Sequence, residues 1–400
     1  MLFRRNGKMG LVEKKALEYS DIYILAFQLY LIRIFLCVFV NWDDRYINAV
    51  NAISHYLFIA VFLMFIVMVI LSIDMIDAGW FAGLLLAGGL LLFLYYLNRH
   101  TDLLMTVLFS MFAYGVSARS IIKTHFWTTL IILVIILTLW RLGVVKDKVE
   151  YFKYGTGRSL GTNHPNGLAA IVLALIVSWE IVYNQAQINI KLILTCAVLA
   201  TLTWSITKSR TSLYLMIMLP FLLALVQIIQ TVHSEKILWF VGSAAALLLV
   251  GSVYLMLRTD LHNASVDSNF MYRFSSPYYL YKRYGIHLIG GEIEYISLQQ
   301  ARITGQSATF IDSTYLYMLI YNGIIPTIIL LVLCGWIGRR CYLLGAHSLL
   351  AIFAVFLIQG LMENMMYKVA YNITFVLAFA NIDIGTACEF QQPHSELQDF

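Results

Sequence analysis

The stretch Tyr154-Gly-Thr-Gly-Arg158-Ser-Leu-Gly161-Thr-Asn-His164-Pro165-Asn166-Gly167-Leu-Ala, running on into the apolar residues up to 184, decides the fold. Its early glycines hint at a dinucleotide-binding turn. That reading fails, because such a turn follows a strand and opens a soluble helix. Here no strand pattern precedes the glycines, and the residues after Gly167 are almost uniformly apolar. A membrane span takes ~20 mostly apolar residues, and this run supplies them. Asn163 is expected to cap the helix, with Pro165 in its first turn.

Outward from this stretch, the same pattern recurs along the chain. Of 400 residues, 60% are hydrophobic and 12% charged, against roughly a quarter charged in soluble domains. So little charge cannot cover a soluble surface. Five prolines and 24 glycines exclude a low-complexity or collagen-like chain. Apolar runs lie near 22–40, 54–73, 79–97, 102–117, 125–144, 166–184, 188–206, 211–231, 237–256, 314–334, 345–361 and 367–386. The expected fold is an all-α integral membrane bundle of about twelve transmembrane helices. The run at 102–117 is the weakest.

Two polar stretches exceed a tight turn, at 146–166 and 258–312. The chain therefore divides into residues 1–257, carrying the first nine spans and a basic loop near 146–166, a large loop at 258–312, and residues 313–400 with the last three spans and a tail. No internal repeat of the transporter kind is visible. Cys37, Cys196, Cys334, Cys341 and Cys388 lie in or beside apolar runs without metal-ligand spacing. They read as small apolar residues, and no disulfide framework is expected. The basic start at Arg4, Arg5, Lys8, Lys14 and Lys15 precedes a full-length apolar run, which is not the pattern of a cleaved signal.

Lysine and arginine near the spans set orientation. The basic N-terminus is expected in the cytoplasm, the C-terminus with it, and both long loops outside. Net charge is only +5. Even so, more of the 27 lysines and arginines fall at the outer face than in cytoplasmic segments. A solvated loop explains them; so does an anionic ligand at the outer face.

Three constellations carry the basic residues. In the first, Arg158 stands close to the helix start at His164-Pro165-Asn166, whose exposed N–H groups favour an anion. A well-capped helix without ligand explains the same residues. In the second, Lys208 and Arg210 flank Ser209 in a turn opening a span. Cations there oppose the helix dipole, which a bound anion would relieve; snorkelling to lipid phosphates is the rival. The third is the long loop, where Arg273, Lys282 and Arg283 are interleaved with tyrosines and phenylalanines suited to stacking on sugars. Gly290-Gly291 marks a turn within it. The loop ends at Asp312-Ser313-Thr-Tyr315, with Gly323 and Pro326 beyond. Asp312 reads as an N-cap or as a general base. Arg33, His55 and Glu180 are span residues without assignable partners. Glu363 and Lys368 either face the same outer site or pair with each other. Asn263-Ala-Ser265 and Asn372-Ile-Thr374 fit a short glycosylation sequon.

These residues together resemble the O-antigen ligase and polysaccharide polymerase superfamily of bacterial inner-membrane proteins. The resemblance rests on Arg158…Gly161…His164-Pro165-Asn166-Gly-Leu-Ala, the Ser209-Arg210 pair, Arg273 early in the long loop, the glycine pair at 290–291, and Asp312 followed by Gly323. It covers residues from about 125 to 380. Ligases of the family carry His-Asn where this chain has Asp312-Ser313, and glycine at the position of Pro326. The chain is closer to the polymerase pattern, in which an aspartate precedes a similar tyrosine-leucine run.

The resemblance implies a GT-C-like membrane glycosyltransferase, a polysaccharide polymerase of exopolysaccharide, capsule or O-antigen synthesis in the bacterial cytoplasmic membrane. Donor and acceptor are glycans on undecaprenyl pyrophosphate. An acceptor hydroxyl attacks the anomeric carbon with inversion, and lipid pyrophosphate leaves, without metal or other cofactor. Asp312, Arg210 and Arg273 are then the candidate catalytic residues. Arg158, His164, Asn166, Lys208, Lys282, Arg283 and Tyr315 are candidates for holding pyrophosphate and glycan. Partners implied are the lipid-linked glycans, the bilayer, a chain-length regulator and a flippase, with no nucleic acid. The alternatives are a ligase of the same superfamily and a lipid-linked oligosaccharide flippase or other transporter. An acyltransferase would carry a membrane-set histidine and a channel a polar-lined pore; neither is evident.

Overall fold

The computed structural model describes residues 9–72, 101–152, 155–232, 235–259, 273–291 and 310–382, with isolated positions at 83, 88, 89, 92, 293 and 296. The expected span at 79–97, the residues Lys153, Tyr154, Asn263 and Arg302, and the C-terminal tail fall largely or wholly outside the described residues.

The chain is an all-α membrane protein, with one small β-hairpin among the described residues. Helix α1 (Met9–Ile32) runs on through a π-helical turn, Arg33–Val38. Then come α2 (Asp44–Ser72), α3 (Thr101–Phe112) and α4 (Ala118–Arg141). Strands β1 (Val149–Phe152) and β2 (Gly155–Arg158) pair antiparallel, with Val149 opposite Arg158. Next are α5 (Pro165–Tyr183), α6 (Ile190–Thr207), α7 (Arg210–Thr231) and α8 (Val241–Arg258). The long loop contributes α9 (Ser275–Tyr284), and α10 (Ile324–Leu343) and α11 (His347–Met362) follow.

Among the described residues, 8 helical segments are long and apolar enough to cross a membrane. Their placement explains their composition. The apolar window of α5 is 78% buried, whereas that of α2 is 17% buried. The first is therefore a central helix and the second a peripheral one, with Leu63, Ile66 and Ile70 exposed for lipid to cover. Gly167 lets α5 reach the centre: a methyl group there would collide with the Phe39 ring. The β-hairpin sits over the junction of α6 and α7, and the neighbouring loops tie in through bonds such as Asn163 N to Phe39 O, 2.9 Å, and Asn41 N to Gly161 O, 2.9 Å. This is the hairpin end of the bundle.

Three expected elements differ. The weak run at 102–117 is a short helix of 12 residues, Thr101–Phe112. The expected span at 314–334 is broken. It holds one helical turn (Thr314–Tyr317), a π-helical turn (Met318–Asn322), a break at Gly323, and then α10. Gly323 has φ +93°, and a Cβ there would strike the backbone of Gly290 and His287. The long loop docks at this break, with Ile324 N donating to His287 O and Ile325 N to Leu288 O, both 3.0 Å. Pro326 falls in the first turn of α10, where a missing N–H breaks no helical bond.

The expected last span at 367–386 is not a regular helix where it is described. From Glu363 the chain is irregular apart from one 3-10 stretch, Ile373–Ala378, yet almost wholly buried. Irregular backbone inside a membrane bundle needs protein partners for its polar groups. Thr106 Oγ1 accepts from Val369 N at 3.0 Å, and His125 Nε2 meets Ala370 O at 2.8 Å. Arg340 donates to Leu377 O and Ala380 O at 2.8 and 2.6 Å. Asn372, buried, donates to Met366 O and accepts from Thr374 N, so that sequon is a local structural device.

Candidate functional site

Polar side chains converge at the hairpin end, where α5, α7, α11 and the long loop meet. His164, rather than Asn163, caps α5: its Nδ1 accepts from Asn166 N at 3.0 Å. An accepting Nδ1 leaves the ring proton on Nε2, which lies 3.2 Å from the Glu150 carboxylate of β1. That hydrogen bond, with Lys148 nearby, holds Glu150 below its ordinary range. One residue into the helix, Asn166 Nδ2 donates to Glu363 Oε1 at 3.2 Å.

Glu363 is the centre of the group. It caps the C-terminus of α11 in an extended conformation and is buried. Its carbonyl accepts from Thr314 Oγ1 at 2.7 Å, and its carboxyl accepts from Thr211 near the start of α7. Arg273 bridges two acids, with Nε 3.3 Å from Asp312 Oδ2 and Nη2 3.7 Å from Glu363 Oε1. Its Nη1 also lies 3.2 Å from Met362 Sδ. Asp312 is the open member: its side chain is 39% exposed, against 10% for Glu363 and 14% for Arg273. Burial first, and then the Asp312 charge, raise the Glu363 carboxyl from 4.5 to about 7, against the opposing pull of Arg273. Glu363 therefore holds a proton that is exchangeable near neutrality, beside the more exposed Asp312 carboxyl.

Asp312 does not cap a helix. Ser313 takes the N-cap position without a capping bond, its Oγ donating instead to Gly360 O at 3.2 Å, and Asp312 turns to Arg273. Arg210 opens α7 one residue before Thr211. Arg158 is held by Asp147 at 2.7 Å and lies over the Trp140 ring, fixing the hairpin rather than joining Arg273. Lys208 is the C-cap of α6, in left-handed conformation with its ammonium 4.5 Å from the Trp204 ring centre. A cation there suits the helix dipole instead of opposing it. Lys282 and Arg283 sit in the last turn of α9, over Tyr278 and Tyr284. Tyr315, a candidate for substrate contact, is instead in the core: it is 1% exposed and donates to Leu357 O at 2.9 Å.

Glu363 and Lys368 do not pair. Lys368 Nζ lies 2.8 Å from Asp102 Oδ2, deeper in the bundle. The roles of Glu363, Glu150 and Thr211 do not emerge from the sequence alone. The available signal was a lone acid closing the apolar run of α11, with nothing to say which loops would cover it. Comparison of the chain with models of known protein families, with curated proteins and with solved structures found no match.

Proposed function

We propose that the protein polymerises glycan repeat units carried on undecaprenyl pyrophosphate, at the outer face of a bacterial cytoplasmic membrane. The observation that carries this is the Asp312–Arg273–Glu363 trio beside Asn166, at the end of the bundle where both long polar loops meet. In this reading the acceptor hydroxyl oxygen forms a bond to the donor's anomeric carbon from the face opposite the leaving group. The carbon–oxygen bond to pyrophosphate breaks, its electron pair staying on the phosphate oxygen. The hydroxyl proton passes to the exposed Asp312 carboxylate, beside buried Glu363. Arg273 holds the two carboxylates in register, and Asn166 and Thr211 orient Glu363.

The long loop's tyrosines suit sugar faces, and acids with tyrosines suit sugar hydroxyls. The absence of the ligase His-Asn at Asp312-Ser313 favours a polymerase over a ligase. Purified protein given synthetic undecaprenyl-pyrophosphoryl repeat unit is expected to yield a ladder of products. A single new band on a different acceptor would make it a ligase, and unchanged substrate would refute both.

A further inference from the structure

Strand β1 brings a further acid to the edge of the candidate site. Side chains along a strand alternate between its faces. Val149 and Tyr151 are exposed, and Glu150 lies between them on the other face, half-buried. There its carboxylate stands 3.2 Å from His164 Nε2 and 3.3 Å from Lys148 Nζ. The hairpin itself is fastened by other residues. Asp147 accepts from Arg158 Nε at 2.7 Å, Ser159 N at 3.0 Å and Leu160 N at 2.9 Å. Gly157, lacking a side chain, lets β2 rest on Thr207 O.

From Glu150 an unbroken run of hydrogen bonds leads to the buried acid of the trio. A neutral imidazole has one N–H and one bare nitrogen. Glu150, accepting at Nε2, fixes the proton there. Nδ1 is left bare and accepts from Asn166 N at 3.0 Å. That bond caps α5 and sets the direction of the Asn166 side chain. Asn166 Nδ2 in turn donates to Glu363 Oε1 at 3.2 Å. The same oxygen lies 3.7 Å from Arg273 Nη2, and Arg273 Nε lies 3.3 Å from Asp312 Oδ2. In the other tautomer, His164 would present Nδ1–H to the Asn166 N–H, donor against donor, and the run would break there.

We infer that Glu150 is a positioning residue for the trio: by fixing the His164 tautomer it holds Asn166 against Glu363, and so sets how Glu363 meets Arg273 and Asp312. In serine hydrolases a buried carboxylate likewise keeps a histidine in one tautomer. Here the device is turned toward a helix cap, and its output is the placing of a carboxyl. The inference rests on the proposed function only for what the trio does to a substrate. The groups facing Glu363 are Asp312 and Arg273 of the long loop, His164 and Asn166 at the start of α5, and Thr211 of α7. A hydrogen bond donated to a carboxylate favours its charged form. Loss of the Asn166 bond therefore moves the Glu363 carboxyl above about 7.

The test uses the full-length protein in detergent. It reads the pH midpoint at which a protein and its Glu363→Gln counterpart part in stability, with Glu150 intact or replaced. Glu150→Leu is expected to raise that midpoint by about one pH unit, a tenfold change in proton affinity, as for one lost bond to a charged group. Glu150→Gln keeps an oxygen to accept from Nε2–H and is expected to restore the wild-type midpoint. Asn166→Ala is expected to give the same rise, and Glu150→Leu added to it to give no more, since the two act in series. Imidazole nitrogen NMR shifts of His164, identified by their loss in His164→Gln, are expected to report Nε2–H alone in wild type and a mixture of tautomers in Glu150→Leu. A role confined to fastening the hairpin would lower stability equally at every pH. A midpoint that Glu150→Leu leaves in place, a rise that adds to that of Asn166→Ala, Nδ1–H in wild type, or no Glu363 midpoint at all overturns the inference. The polymerase reading fails separately. An absent ladder with a Glu150-dependent midpoint sinks the polymerase and leaves the positioning role. A ladder with a Glu150-independent midpoint does the reverse.

Discussion

Replacing Glu363 by glutamine should change how stability depends on pH, and the sign and size follow from its surroundings. The carboxyl is buried, with Asp312 beside it, and its value rises from 4.5 to about 7 on folding. The folded state therefore holds the proton more tightly than the unfolded chain. That contribution is fully present below pH 4.5 and is lost as pH rises through about 7. At ~1.36 kcal/mol per tenfold change in affinity, the loss is roughly 3 kcal/mol by pH 9. Glutamine keeps the acceptor for Asn166 and Thr211 but cannot ionise. Wild type and Glu363→Gln should thus melt alike near pH 4.5, and the variant should become the more stable by up to about 3 kcal/mol as pH climbs to 9. The assay is thermal or denaturant unfolding of the detergent-solubilised protein across that range, comparing the two proteins at each pH so that other titrating groups cancel. Parallel curves would refute the reasoning, because they would mean that Glu363 carries no proton of unusual affinity.

Other outcomes follow from single contacts. Asp312→Asn should abolish polymer growth while leaving membrane insertion intact; wild-type chain lengths on a gel would sink the role given to that carboxylate. Gly323→Ala forces a side chain into a backbone conformation almost reserved for glycine, where it also meets Gly290; a loss of ~1–3 kcal/mol is expected in unfolding measurements. Asp102→Asn strands the Lys368 ammonium inside the bundle and should cost about 3 kcal/mol. Adding Lys368→Met should recover most of it, and a double variant no better than the single would count against the ion pair. Arg340→Gln removes the donors to Leu377 O and Ala380 O, so amide exchange around residues 377–381 should speed up with no effect at Glu363.

The membrane helices were legible because an apolar run of ~20 residues has few other uses. The helix start at Pro165 was legible for a local reason, since proline suits a first turn. What escaped was set by contacts distant in sequence. Nothing local distinguishes Tyr371-Asn372-Ile-Thr from the middle of a span. The segment stays irregular because Arg340, His125 and Thr106 supply the bonds that a helix would have made with itself. Likewise the 314–334 run hides its break, because Gly323 matters only once the long loop docks on it. The cations were visible and their partners were not: Arg158 has Asp147, Arg273 has two acids, and Lys208 belongs to the end of one helix rather than the start of the next.

That pairing changes what the hairpin end can bind. A crowd of free cations would draw any anion. Arg158 held by Asp147, and Arg273 shared by Asp312 and Glu363, leave a surface whose most accessible charged member at the trio is a carboxylate. A pyrophosphate brought directly against Asp312 and Glu363 would be repelled, and it would raise the Glu363 carboxyl further above its ordinary range. Sugar hydroxyls would not be. A lipid-linked glycan entering from the bilayer carries its phosphates below its sugars. The carboxyl pair at the end of the bundle therefore suits the sugar end of such a molecule, with the phosphates kept away from Asp312 and Glu363.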